Sequence, residues 1–251
     1  MHDYHTTISE GMKVRNDKKP EKLILLIKKI RMPAETVKSL TQRLAAKGIA
    51  VTLLQAGDAP GAEADRLCGE EVLLLCDDAE TARGFGTDAV LIYLHEKNRG
   101  TDFTGFQYFI EGFEDADAEY FIRTYQRLKG IPWTIADTKR LLVREMVPED
   151  LDAIYELYAY PEEVTYLPPL CTDRKEEAEY LNRYIRNMYG IFEYGMWVIL
   201  EKETGKLIGR MGVENTDCED VLSFGFLYIF QISGTDCIFL PLYYNIAYVS
   251  F

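Results

Sequence analysis

The chain has 251 residues, enough for two modest domains that each bury a core, and its 47% apolar content is that of a globular protein rather than a disordered one. A formal charge of −13 excludes the broad basic face that nucleic-acid binding requires. The acidity is uneven: residues 1–136 carry 18 basic and 21 acidic side chains, residues 137–251 carry 10 and 20. An acidic second half suits a cationic partner such as an amine, and it also serves plain solubility.

The start, "MHDYHTTISEGMKVRNDKKPEK", has no apolar core and reads as a loose polar tail, neither signal peptide nor anchor. The first ordered element is expected at "KLILLIK", a continuous apolar run of the kind buried on both faces of a parallel sheet. "PAETVKSLTQRLAAKG" follows as a helix, with Val37, Leu40 and Leu44 at helical spacing and Gly48 as the stop. "IAVTLLQ" reads as a strand, "GAEADRLCG" as a short helix and "EVLLLCDD" as a strand. "AETARGFG" is then a short helix, "DAVLIYLHE" a strand and "GFQYFIEGF" an edge strand. This alternation predicts a doubly wound α/β layer with a parallel sheet. "DADAEYFIRTYQRLKG" reads as a helix leading out of it, and "IPWTIADT" as a connection.

After Thr138 the pattern changes. "KRLLVREM" is an expected strand, "VPEDLDAIYELYAY" a helix with acids in its first turn, and "TDRKEEAEYLNRYIRNMYG" a longer helix capped by Thr172 or Asp173. "GMWVILEK", the turn "ETGK" and "LIGRMGVEN" predict an antiparallel hairpin, and "DVLSFGFLYI" the next strand. The whole chain is therefore expected to be α/β in its first half and α+β, with an antiparallel meander, in its second.

The five cysteines form no CxxC and are odd in number, which points to reduced thiols in a cytoplasm. The fragment "GFGTDA" fits a dinucleotide fingerprint, but it closes a helix and precedes a strand where that motif must open a helix. Gly84 and Gly86 are read instead as helix-end glycines. Asp77 and Asp78 stand at the C-terminal end of a strand, the edge where open α/β sheets bind ligands, and two adjacent carboxylates could hold Mg²⁺. Capping of the next helix is the preferred role for both, and no metal site is assigned.

The stretch "LLLCDDAETARGFGTDAVLIYLHE" resembles the late part of the haloacid dehalogenase-like fold, over roughly residues 21–112. That family's chemistry needs an Asp nucleophile just after the first strand. Here "LILLIKKIRMP" places Lys28, Lys29 and Arg31 there. The resemblance therefore implies a phosphatase-like scaffold without the nucleophile, and a Mg²⁺-dependent phosphatase is the reading with least in its favour.

The second half carries another resemblance. "TKRLLVREMVPEDLDAIYELYA", "WVILEKETGKLIGRMGVEN" and "DVLSFGFLYI", in that order, look like the opening, second and third strands, and fourth strand of a GCN5-related N-acetyltransferase, especially the branch that modifies ribosomal-protein N-termini. The resemblance implies acetyl-CoA as cofactor and an amine acceptor, either a small molecule or a protein N-terminus. It implies cofactor binding by the fourth-strand residues Phe226, Leu227 and Tyr228, then by a glycine loop at "QISGTD", where Gln231 and Gly234 match. Glu214 is the candidate base, and Tyr166 in "VTYLPPL" a candidate acceptor-pocket residue. Ser223 stands where many relatives have Glu. Asp236 puts a carboxylate where a small residue belongs, and backbone must approach phosphate closely there.

From Leu222 to Phe251 the only charged side chain is Asp236. The string "CIFLPLYYNIAYVSF" lacks the amphipathic helix and fifth strand that the resemblance calls for, and is too short to cross a bilayer. Codons for "FQISGTDC", read one nucleotide later, can encode "FRYQGQTA", an ordinary loop of that family. The expectation is a frameshifted or truncated transferase, tested most directly by the encoding DNA beyond the codon for Tyr228, read in all three frames. The alternatives are a natural short variant and a non-enzymatic fragment or regulatory module. The expected division is a polar tail over 1–20, the dehalogenase-like layer over 21–113, a helix and linker over 114–136, the acetyltransferase half over 137–229 and the apolar tail over 230–251.

Overall fold

The computed structural model describes residues 18–54, 71–113, 116–159, 169–215 and 222–228. The chain divides into two compact units, one over Asp17–Ile131 and one that begins at Pro132.

In the first unit, β1 (Lys22–Leu26), β2 (Ala50–Leu54), β3 (Val72–Cys76), β4 (Val90–Leu94) and β5 (Phe109–Glu111) form an all-parallel sheet in the order β2-β1-β3-β4-β5. Strand periodicity divides the apolar runs between two cores. Leu23, Leu25, Leu73, Leu75 and Leu91 pack with α1 (Ala34–Ala45) and α3 (Ala118–Leu128). Ile24, Leu26, Leu74, Cys76 and Ile92 pack with α2 (Ala79–Phe85). Both faces are thus covered, which is why these strands tolerate no polar alternation. Phe109–Glu111 is the edge strand that the sequence suggests. The helix expected at "GAEADRLCG" lies outside the described residues.

The strand order reverses direction between β1 and β3, which opens a crevice at their C-terminal ends. Lys28 and Lys29 leave β1 there, and Asp77 and Asp78 leave β3. Asp78 caps α2 by accepting the Thr81 amide, and Gly86, with φ of 84°, ends that helix, the opposite of what a nucleotide fingerprint requires.

The second unit runs β6 (Thr134–Asp137), β7 (Leu141–Glu145), α4 (Leu151–Tyr158), α5 (Arg174–Tyr184) continuing into a π-helix (Ile185–Phe192), β8 (Met196–Glu201), β9 (Leu207–Asn215) and β10 (Leu222–Tyr228). All five strands are antiparallel and sequential, in the order β10-β9-β8-β7-β6. The expected hairpin is present: Trp197 pairs with Met211, Val198 with Arg210 and Leu200 with Leu207. Its turn is closed by the Gly205 amide on the Glu201 carbonyl at 2.8 Å. Asp173, not Thr172, caps α5.

One reading is corrected. "IPWTIADT" is not a plain connection: Thr134–Asp137 forms β6, paired with β7 through Thr134–Arg144, Ala136–Val143 and Asp137–Leu142. All four of its residues are exposed, so it carries no alternating apolar pattern, and backbone pairing defines it. The core of this unit gathers Met146, Ile154, Leu181, Tyr189, Met196 and Val198 between one sheet face and the two helices.

Candidate functional site

In the second unit the sequence-predicted cofactor strand is β10. Phe226 stands opposite Met211, Leu227 opposite Arg210 and Tyr228 opposite Gly209. β10 is the end strand of its sheet among the described residues, so its outer backbone groups pair with no described strand. A sheet edge of this kind offers alternating N–H and C=O groups to an extended amide-bearing ligand. Glu214 occupies β9 opposite Ser223, three positions along from Met211, or roughly 10 Å at strand spacing. Tyr166, Gln231 and Gly234 lie outside the described residues. The structure therefore brings Glu214 and the three cofactor-strand residues onto adjacent strands.

The start of β8 is held by two tyrosines, one at the end of α5 and one in the π-helix after it. Tyr184 accepts the Met196 amide at 2.7 Å, and Tyr189 accepts the Met146 amide at 3.2 Å while donating to the Met196 carbonyl. Burial pushes the Tyr189 phenol far above its ordinary range, so it stays a neutral donor. β8 and β9 approach so closely here that a Cβ on Gly212 would lie 2.1 Å from the Gly195 carbonyl oxygen. Only glycine fits at that crossing.

Two arginines on the sheet were also missed. Arg144 is buried and makes two bonds of 2.7 Å to Asp150, plus one of 2.8 Å to the Glu145 carbonyl. Arg210 donates from Nη1 to the Tyr158 hydroxyl at 3.2 Å, and its Nε is shielded from solvent with no hydrogen-bond partner among the described residues. The signal for the second was available in "LIGRMG", a lone cation inside an otherwise apolar stretch of β9. Ahead of α5, Glu177 accepts the Cys171 amide at 2.8 Å and Tyr155 donates to the Cys171 carbonyl at 2.6 Å, which anchors that segment against α4. The Cys171 thiol points at Glu176, 3.1 Å away, and this carboxylate raises its pKa.

In the first unit the crevice between β1 and β3 is filled with polar groups that answer one another. Asp77 is fully buried and accepts the Lys28 amide at 2.7 Å, the Lys29 amide at 2.8 Å and His95 Nε2 at 3.1 Å. His95 Nδ1 accepts the Lys97 amide at 3.2 Å, so the ring proton sits on Nε2 and donates to Asp77. Capping holds for Asp78 alone. Asp77 instead ties the end of β1 to the end of β3, because its carboxylate faces the two amides that β1 leaves unpaired. Lys28 Nζ bonds the Thr81 hydroxyl at 2.8 Å, and Lys29 Nζ lies 3.7 Å from Asp78 and 3.3 Å from the Thr101 hydroxyl. Burial alone would raise the Asp78 carboxyl. The Thr81 amide and hydroxyl, with Lys29 and Lys28, outweigh it and hold the group below the ordinary Asp range.

Residues 140–233 match the family model described as acetyltransferase (GNAT) domain. Similar solved structures include a GNAT-family acetyltransferase from Bacillus anthracis, with 15% identity over 37% of this chain and 51% of that one and a TM-score of 0.29. An acetyltransferase from Agrobacterium tumefaciens str. C58 shares 22% identity over 39% of this chain and 56% of that one, with a TM-score of 0.30. The chain thus spans about half the length of these structures. No curated protein matches it.

Proposed function

We propose that the chain is an acetyl-CoA-dependent N-acyltransferase acting on an amine, with the GNAT domain at residues 140–233 as its working part. The observation that carries this reading is β10, the end strand of its sheet among the described residues and inside the matched segment, whose outer backbone would take the cofactor's pantetheine amides. The cofactor, when bound, supplies an acetyl thioester ready for attack. Phe226, Leu227 and Tyr228 would hold its amide arm through main-chain bonds, and Gln231 and Gly234 would lie against its pyrophosphate. Glu214 would take the proton the amine sheds, and Tyr166 would line the acceptor pocket. A small amine and a protein N-terminus, the acceptor of the ribosomal-protein branch, both fit this chemistry. Thiols kept reduced suit a cytoplasmic setting. Among the described residues no helix is long and apolar enough to cross a membrane.

On this reading Asp236 would work against the site, since the loop match in the sequence would put a carboxylate near anionic phosphate. The reading therefore includes weak acetyl-CoA binding and little turnover by the sequence as it stands. Isothermal titration with acetyl-CoA tests it. Saturable binding that Asp236→Gly strengthens by about tenfold, the effect of ~1.4 kcal/mol, supports the transferase. No binding by either form favours a regulatory or binding module.

The unit before it fits a haloacid dehalogenase-like scaffold that performs no phosphoryl transfer. Asp77 has its oxygens committed to two amides and an imidazole, and the Lys29 ammonium stands beside Asp78 where a divalent cation would be needed. Mg²⁺-dependent hydrolysis of a generic phosphate ester, lost on Asp77→Asn, would overturn that part.

A further inference from the structure

We infer that the exposed strip of α5 is a docking surface for a second copy of this chain, laid antiparallel across a two-fold axis beside Tyr180. The inference is independent of the acyltransferase reading.

The two long sides of α5 differ. Glu177 and Leu181 are buried, Leu181 in the core of its own unit and Glu177 on the Cys171 amide. On another side stand Glu176, Tyr180 and Arg183, all exposed. Positions i, i+4 and i+7 share one strip of an α-helix. Tyr180 is 52% exposed even with its ring 6.2 Å from that of Tyr184. The π-helix that continues α5 adds Ile191, 69% exposed, and Phe192, 50% exposed. Seven large apolar side chains are exposed among the described residues, and three of them fall on this one helical run. Single exposed apolar residues are ordinary, whereas a group of them on one element marks a surface that meets another.

The charges name the occupant. Glu176 lies on one side of Tyr180 along the strip and Arg183 on the other. Reversed end to end, such a strip is complementary to itself. Two copies laid antiparallel set Glu176 of each opposite Arg183 of the other, with the two Tyr180 rings side by side at the axis. Seven residues of helix separate the two ion pairs by roughly 10 Å. That is an aromatic centre with a charged rim, the usual anatomy of an interface. A closed two-fold pair needs one self-complementary patch and nothing else, and a second copy carries it by construction.

Sedimentation velocity of the full chain over a concentration series tests this. The unsubstituted chain should show a monomer–dimer equilibrium. Each contact occurs twice across the axis, so Glu176→Arg alone, or Arg183→Glu alone, sets like charges together at two places and should weaken the dimer by roughly tenfold or more. Tyr180→Ala should weaken it as well. Glu176→Arg combined with Arg183→Glu should restore it, because the reversed strip is again complementary to itself. The combined form also separates pairing from helix stability. Acids near a helix start and bases near its end favour the helix, so a stability effect would make the double reversal the worst of the three forms. All three side chains are exposed, and circular dichroism should show an unchanged fold. A chain that stays monomeric at every concentration overturns the inference. So does an association that ignores the single reversals, which would place the contact on another surface, and so does a double reversal that fails to recover the dimer.

Discussion

Arg144 and Asp150 meet through two parallel hydrogen bonds of 2.7 Å each, both side chains almost entirely out of solvent. Asp150 Oδ2 also accepts the Val147 amide at 2.8 Å, so one carboxylate neutralises a strand cation and closes the turn that starts α4. Asp150→Ala removes the anion and leaves the guanidinium buried and alone. The expected cost is about 3–5 kcal/mol in urea denaturation, while the paired replacement Arg144→Met with Asp150→Leu should recover a large part of it.

Asp77→Asn should destabilise the first unit without touching acetyl-CoA binding. The substituted amide offers one acceptor oxygen and turns an NH₂ toward backbone N–H donors that need acceptors. Hydrogen bonds to a charged group contribute about 1.5–3 kcal/mol each, so losing one and weakening others should lower stability by about 3 kcal/mol. Hydrogen exchange at the Lys28 and Lys29 amides should rise with it.

Asp78 gives a pH dependence of defined sign. Its carboxyl is held below the ordinary Asp value of about 3.9, so the folded chain binds that proton less readily than the unfolded one. The stabilisation is present above that value and is lost as pH falls through the lowered folded pKa. Acid unfolding followed by circular dichroism from pH 6 to 2 should show this loss below about pH 4. In Asp78→Ala the pH-dependent part should disappear, leaving a constant deficit of about 1 kcal/mol from the lost helix cap.

Gly212→Ala should disrupt the second unit more than a methyl at Gly205, where a Cβ meets nothing within 4 Å. The new Cβ would fall 2.1 Å from the Gly195 oxygen and 2.5 Å from Met196 Cα, both backbone atoms with nowhere to turn. β8 and β9 would have to part at that register. Thermal melting should fall sharply, and the Val213 amide bond to the Gly195 carbonyl, now 3.1 Å, should lose its exchange protection.

The elements most legible in the sequence are those where one force dominates. "KLILLIK" and "EVLLLC" read as two-faced strands because both faces are buried, and "ETGK" reads as a turn because its glycine stands between two apolar runs. β6 was hidden because its four side chains are exposed and backbone pairing alone defines it. The doublet Asp77–Asp78 was placed at the correct sheet edge, but its division of labour depends on which amides β1 leaves unpaired, a long-range fact. Arg210 escaped notice for a similar reason. Its described contact, the Tyr158 hydroxyl, lies 52 residues earlier in the chain, and no local pattern records that.

The π-helix at Ile185–Phe192 makes the second unit sensitive to chain length rather than to residue identity. In an ordinary α-helix, positions five apart are turned from each other by roughly 140°. Widening the winding to i→i+5 bonds turns them much closer to one face. That is how Tyr184 and Tyr189, five apart with ring centroids 5.8 Å from each other, both reach Met196. Such a segment is what an α-helix becomes when it absorbs one extra residue while the strand after it keeps its place. Deleting Asn187 would tighten the winding and swing one hydroxyl away from β8, although every contact-making side chain would still be encoded. Across descendants of this chain, insertions and deletions between Tyr184 and Tyr189 should therefore be rarer than substitutions there.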